Sequence, residues 1–254
     1  MLNKKPFFIV FEGVEGCGKS FQSKKLYKNL IRKKFNVILT REPGGTKSAE
    51  LIRNLILKDY FNNSNKEKFD KYTDTLLYLA ARNEHVKRKI EPALNQKKIV
   101  ICDRFVDSTH VYQGFVGGIN GEALNGLDKL SCNGLVPDLT LLLDVDSSVG
   151  LARTVKRGGS EGRFEAKGKA FHQKVRQGFL ARAKDVDSVG RVSKSPHNQS
   201  FLVERNLIYL KVKDPSSYTC GDVVTIYRKS KRKVRHPKLT LAVADHNVPT
   251  TDRS

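Results

Sequence analysis

Gly13-Val14-Glu15-Gly16-Cys17-Gly18-Lys19-Ser20 has the spacing G-x-x-x-x-G-K-S. The apolar run Phe7-Phe8-Ile9-Val10-Phe11 leads straight into it and reads as a buried parallel strand. After Ser20, Leu26, Tyr27, Leu30 and Ile31 recur at helical spacing as far as Lys34, and Asn36 closes the pattern. The order is strand, glycine-rich loop, helix, the context that lifts such a loop above a chance match. Glycines let backbone N–H groups turn inward around phosphate oxygens. The helix that follows points its positive end at the same anion. On this reading Lys19 reaches the β- and γ-phosphates of a nucleotide and the Ser20 hydroxyl sits on Mg²⁺.

The chain has 254 residues and 39% hydrophobic residues, enough for one large domain or a domain with an appendage. No stretch approaches the roughly 18 consecutive apolar residues of a membrane span. Met1 to Pro6 runs directly into the first strand and leaves no room for a signal peptide, so a cytoplasmic protein is expected. Cys17, Cys102, Cys132 and Cys220 lack metal-ligand spacing and read as reduced thiols. The net charge of +21 raises the question of a nucleic-acid partner. The lysines are dispersed, however, with only short clusters such as Lys87-Arg88-Lys89, and read as a solvated surface.

Working outward, Val37-Ile38-Leu39 is a short second strand ending in Thr40-Arg41-Glu42-Pro43-Gly44-Gly45-Thr46. That turn puts charged residues at the carboxyl edge of a sheet, where open α/β folds bind ligands. Residues 49–57 read as a helix with Leu51, Ile52, Leu55 and Ile56 on its apolar side, followed by a polar connection over 58–71. A second helix is expected over 73–90, with Tyr78, Arg82 and His85 on one face and Leu76, Leu77, Leu79 and Ala80 apolar. The bland reading of Tyr78 is core packing, and of Arg82 a surface charge. A third strand, 98–102, ends in Asp103-Arg104-Phe105. Asp103 is the expected second group near Mg²⁺; its bland reading is the cap of the next helix, which starts near Asp107 or Ser108, and the two roles are compatible. A helix over 106–113, a glycine-rich break over 114–121, a fourth strand over 139–145, and helices over 149–157 and 169–184 complete the pattern. Arg153 and Arg157, four residues apart, share a helix face. Alternating strands and helices make this an α/β protein with a parallel sheet.

Four motifs together resemble the bacterial thymidylate kinases over about residues 6–185. They are Phe11 to Ser20, Thr40 to Thr46, Asp103-Arg104-Phe105 with Tyr112-Gln113-Gly114, and an arginine-bearing lid from Leu151 to Glu165. The resemblance implies a P-loop nucleoside monophosphate kinase fold with a lid. It implies transfer of the ATP γ-phosphoryl group to dTMP, giving dTDP for dTTP synthesis, with Mg²⁺, and a homodimer. By resemblance Tyr78 stacks on thymine, Arg82 bonds a thymine carbonyl, and Thr109 and Gln113 read the base edge. Arg53 and Arg104 hold the monophosphate, Tyr112 packs near C2′, Glu15 lies close to the 3′-hydroxyl, and Glu42 lies at the pocket mouth. Gly13, Val14, Gly16, Cys17 and Gly18 form the ATP loop with Glu15, Lys19 and Ser20. Because this loop contains no other Arg or Lys, the lid arginines Arg153, Arg157 and Arg163 are the available source of further positive charge. Two departures stand out: Phe21 replaces a small hydroxyl residue, and Gly162 stands where an acid often precedes the arginine. Another nucleoside monophosphate kinase, or a nucleotide-binding protein without kinase activity, remain the alternatives.

The resemblance fades after about Asp187. Residues 206–212 are expected to form one more strand, after a loop over 188–200. The chain therefore divides into a kinase-like unit over 1–187, a divergent segment over 188–227 and a basic tail over 228–254. From Arg232 to Arg253 the tail resembles an N-terminal piece of the large subunit of 3-isopropylmalate dehydratase, without that family's iron–sulfur cysteines. It reads as a foreign, poorly packed fragment.

Overall fold

A computed structural model of the chain describes residues 5–58, 68–156, 167–185 and 207–211. The described strands are β1 (Phe7–Gly13), β2 (Val37–Arg41), β3 (Ile99–Asp103), β4 (Leu139–Asp144) and β5 (Leu207–Lys211). They form one parallel sheet in the order β2-β3-β1-β4-β5. The expected final strand is β5, paired with β4 from Thr140–Leu207 to Asp144–Lys211. Helices α1 (Lys19–Arg32), α2 (Lys47–Leu57), α3 (Lys71–His85), α4 (Glu91–Asn95), α5 (Val106–Thr109), α6 (Gly121–Cys132), α7 (Ser147–Lys156) and α8 (Lys169–Asp185) flank it.

The apolar run of β1 is continuous because both sheet faces are covered. Phe8 and Val10 join Val100 and Cys102 in a core that includes Phe105, Val86 and Ile90. Ile9 and Phe11 join Ile101, Leu141 and Leu143 on the opposite face, with Val175 and Phe179 of α8. Register then aligns the carboxyl ends: Phe11 and Arg41 both lie opposite Asp103, and Gly13 lies opposite Leu143. The phosphate loop, the Pro-Gly-Gly turn and the residues after Asp103 all leave the sheet at this edge.

Four expectations need correction. The long helix is continuous only to His85; Val86–Ile90 winds as a π-helical turn before α4. The helix expected over 106–113 is a single α turn, followed by a π-helical segment His110–Val116 that runs into the expected glycine break. The expected break shrinks to residues 117–120, because α6 begins at Gly121 with the Asn120 side chain capping the N–H groups of Glu122 and Ala123. On α2, Ile56 is buried but Leu51 is 68% exposed and Leu55 is also exposed, so only part of the expected apolar side faces the core.

Candidate active site

The loop between β1 and α1 closes with Gly18 in the left-handed region at φ 95°, and no side chain caps α1. The first N–H groups of α1 are thus left facing the loop's interior. Gly16 has φ 70°, and a Cβ there would lie 2.0 Å from the Gly150 carbonyl oxygen. Only glycine lets the loop and α7 approach so closely. Lys19 Nζ donates to the carbonyl oxygens of Gly13 (2.9 Å) and Val14 (2.7 Å) and lies 3.6 Å from Cys17 Sγ. Ser20 Oγ donates to Asp103 Oδ2 at 2.5 Å. Asp103 therefore serves the phosphate loop, and α5 has no side-chain cap of its own. Arg153 Nη1 donates to the Gly16 carbonyl at 3.1 Å.

Two carboxylates three residues apart behave oppositely. Glu12 is 1% exposed and accepts from the N–H groups of Phe105 and Ser108 and from Ser108 Oγ. It does from β1 what a cap would do for α5. Burial, with the charge of Asp107 added, pushes its carboxyl up to about 7 against the pull of Arg104. Burial also acts on Glu15, but His172, Arg104, Lys19 and Tyr112 outweigh it and hold that carboxyl well below the usual range. Glu15 Oε1 accepts from Arg104 Nη2 (3.1 Å) and the Tyr112 hydroxyl (2.5 Å). His172 Nδ1 of α8 lies 3.7 Å from its other oxygen. Arg104 itself has φ 74°, a left-handed conformation that a non-glycine residue rarely adopts, while its N–H bonds the Phe11 carbonyl.

At the other end, Arg82 is 3% exposed, which overturns its reading as a surface charge. Its Nε donates to Glu42 Oε2 at 2.8 Å, and Nη2 donates to the Phe105 carbonyl (3.0 Å) and Thr109 Oγ1 (2.8 Å). Nη1 lies 3.4 Å from Asp128 Oδ1. Burial pulls the guanidinium pKa down, but Glu42, Cys132 and Asp128 together hold it above its ordinary value. Glu42 is buried rather than at the mouth, and its second oxygen meets His85 Nδ1 at 3.1 Å. His85 Nε2 in turn meets Thr40 Oγ1 at 2.6 Å. A Cβ on Gly45, at φ 91°, would come within 2.5 Å of that ring nitrogen, so the Pro-Gly-Gly turn is also the lid of this buried network.

One cavity of about 440 Å³ joins these ends. Glu15, Gly16, Gly18, Lys19, Ser20, Glu42, Arg53, Tyr78, Arg82, Asp103, Arg104, Thr109, Tyr112 and Gln113 line it, as does Phe21. Gly13, Val14, Cys17 and Arg153 do not; Val14 and Cys17 are buried beneath the loop. Arg53 Nη1 donates to the Pro43 carbonyl at 2.7 Å. Arg157, Arg163 and Cys220 lie outside the described residues; Cys17, Cys102 and Cys132 are free thiols. Sequence reasoning missed Glu12, Asp128, His110 and His172. An acid inside an apolar strand was a usable signal for Glu12; the other three lie on a helix it did not see or depend on distant partners.

A phosphate loop on a five-stranded parallel sheet, with an acceptor cavity beside it, defines a P-loop nucleoside monophosphate kinase. The thymidylate kinase family model matches residues 11–199. The thymidylate kinase of Geotalea daltonii is 45% identical over 184 residues, covering 70% of this chain and 84% of that protein. That of Rhodopseudomonas palustris is 40% identical over 214 residues, covering 81% and 91%. The crystal structure of thymidylate kinase from Ehrlichia chaffeensis superposes with a TM-score of 0.61 at 33% identity, covering 84% of this chain and 90% of that one. The chain belongs to the thymidylate kinase family, which uses ATP, and its activity is the phosphorylation of dTMP to dTDP. No helix among the described residues is long and apolar enough to cross a membrane.

Proposed function

We propose that the cavity holds dTMP with its base at the Arg82 end and its phosphate toward Lys19. The observation that carries this reading is that Lys19, the Ser20–Asp103 pair and the buried Arg82 all line one cavity. Tyr78 supplies a ring face for the base, and Arg82, Thr109 and Gln113 its edge contacts. Tyr112 and Glu15, already bonded to each other, bracket the sugar. Arg53 and Arg104 offer planar forks to the monophosphate. Gly13 to Gly18, Lys19 and Ser20 receive the ATP phosphates. Arg153, with Arg157, stabilises charge on the moving phosphoryl group.

The Ser20–Asp103 pair fits a Mg²⁺ ion that arrives with the nucleotide, because Mg²⁺ takes one or two protein oxygens and keeps phosphates and waters as its other ligands. Bound there, the ion would neutralise charge on the donor phosphates.

A homodimer is supported by the apolar side chains left outside on neighbouring helices: Leu51 and Leu55 of α2, Tyr72 and Leu76 of α3, and Leu130 of α6, which is 76% exposed. A patch of this kind marks an interaction surface. Residues 228–254 lie outside the described residues and beyond the family match, and we read them as a foreign tail dispensable for a cytoplasmic kinase. The test is ADP release with dTMP, dUMP, GMP and AMP in parallel, with and without Mg²⁺, on the full chain and on one cut after Lys229. Mg²⁺-dependent turnover preferring dTMP in both chains is expected. Loss of turnover on truncation would contradict the tail reading, and equal use of the four acceptors would contradict the assignment of the base end.

A further inference from the structure

We propose that Asp128, backed by His110, is a positioning residue for the Arg82 guanidinium and so sets how tightly the base of the acceptor nucleotide is held. The inference rests on the reading of Arg82 as a base contact. A guanidinium has five N–H donors in a rigid plane. Among the described residues, Glu42 takes the one on Nε, and the Phe105 carbonyl and Thr109 take the two on Nη2. Asp128 takes one of the two on Nη1, at 3.4 Å. The donor left for a ligand is therefore the second N–H of the nitrogen that Asp128 holds. A guanidinium rotating in its plane about the Glu42 contact would swing that donor through the largest arc, and Asp128 is what opposes the swing.

Asp128 does not line the cavity, so it cannot act on the nucleotide directly. Its second oxygen is held by His110 Nε2 at 2.5 Å, with the two side chains 14% and 8% exposed. His110 follows Thr109, another Arg82 partner, and opens the π-helical segment. The two carboxylates on Arg82 are thus built alike: Glu42 has His85 behind it and Asp128 has His110. A carboxylate with one oxygen fixed by an imidazole cannot turn away from its arginine. The Arg82–Asp128 contact is the longer of the two ion pairs, so its loss should loosen the guanidinium without releasing it.

The test is a double-mutant cycle read in steady-state kinetics, with melting temperature as a control. Asp128→Ala should raise KM for dTMP about five- to tenfold, leaving KM for ATP and kcat nearly unchanged. His110→Ala should give a smaller rise in the same direction. Asp128→Asn keeps the shape and an acceptor and should fall between Asp128→Ala and wild type. In an Arg82→Lys background, which keeps the charge but loses the planar fork, Asp128→Ala should add less than about twofold. The proposal is overturned if folded Asp128→Ala binds dTMP like wild type, if its effect persists undiminished beside Arg82→Lys, or if KM for ATP rises equally. Should Asp128→Ala not fold, wild-type behaviour of Asp128→Asn overturns it instead. If Arg82→Lys alone leaves KM for dTMP unchanged, the base-contact reading fails and takes the proposal with it; a raised KM there with a silent Asp128→Ala removes the proposal alone.

Discussion

At one end of the cavity Arg82 donates to Glu42, Phe105, Thr109 and Asp128; at the other, Lys19 donates to the Gly13 and Val14 carbonyls of its own loop. Both cations are buried. The partners of Arg82 come from 23 to 46 residues away, on elements packed into the core. Two of them are carboxylates that a bound base would not displace. The partners of Lys19 are neutral carbonyls five and six residues away. A phosphate oxygen outcompetes a carbonyl for an ammonium group, because it brings charge as well as a lone pair. The base end is therefore finished before ligand arrives, and the phosphate end is held in reserve by contacts that an anion replaces. Arg153, on the Gly16 carbonyl, follows the same rule as Lys19.

The strongest way to break the contrast is Lys19→Ala. It should lower kcat about a hundred- to a thousandfold while leaving dTMP affinity by calorimetry nearly untouched. Weakened dTMP binding with turnover intact would reverse the two ends.

Arg82→Ala probes the other end through stability. Removing one partner of a buried ion pair costs about 3–5 kcal/mol, because Glu42 is left behind in the core. Urea unfolding should show that loss for Arg82→Ala and a much smaller one for Lys19→Ala, whose partners are neutral. Equal losses would mean that the two cations are held alike.

A smaller, pH-dependent effect is expected at Glu12. Its folded-state carboxyl sits at about 7, above the 4.5 of the unfolded chain. The protonated form is then the favoured one in the folded protein. Its contribution to stability is full below about pH 4.5 and is lost as pH rises to about 7. Glu12→Gln cannot titrate, so the stability of wild type relative to the variant should fall across that window and level off above it. A gap independent of pH would show that Glu12 is ionised throughout.

What the sequence made legible follows the same division. The phosphate loop is local: strand, glycines, Lys19 and Ser20 are contiguous, so spacing alone sets out the geometry. Strands β1, β3 and β4 carry the apolar runs Phe7 to Phe11, Ile99 to Cys102 and Leu141 to Leu143 because both faces are covered. Arg82 was harder, because helical periodicity assigns an arginine to solvent unless its partner is known, and Glu42 lies forty residues away. Helix α6 was missed because Gly121 and Gly126 argue against a helix, whereas burial of Leu124 and Cys132 settles it. With α6 went Asp128. The π-helical turns differ from α-helix by one residue per turn and leave no mark in the apolar pattern.

The most direct test of a finished base end and a reserved phosphate end is calorimetric titration of dTMP, without ATP or Mg²⁺, into wild type and Lys19→Ala. The expected result is binding to both with the same affinity. Failure of dTMP to bind until ATP is added, or its loss in Lys19→Ala, would contradict the account, since either would mean that the base end is assembled by the donor nucleotide.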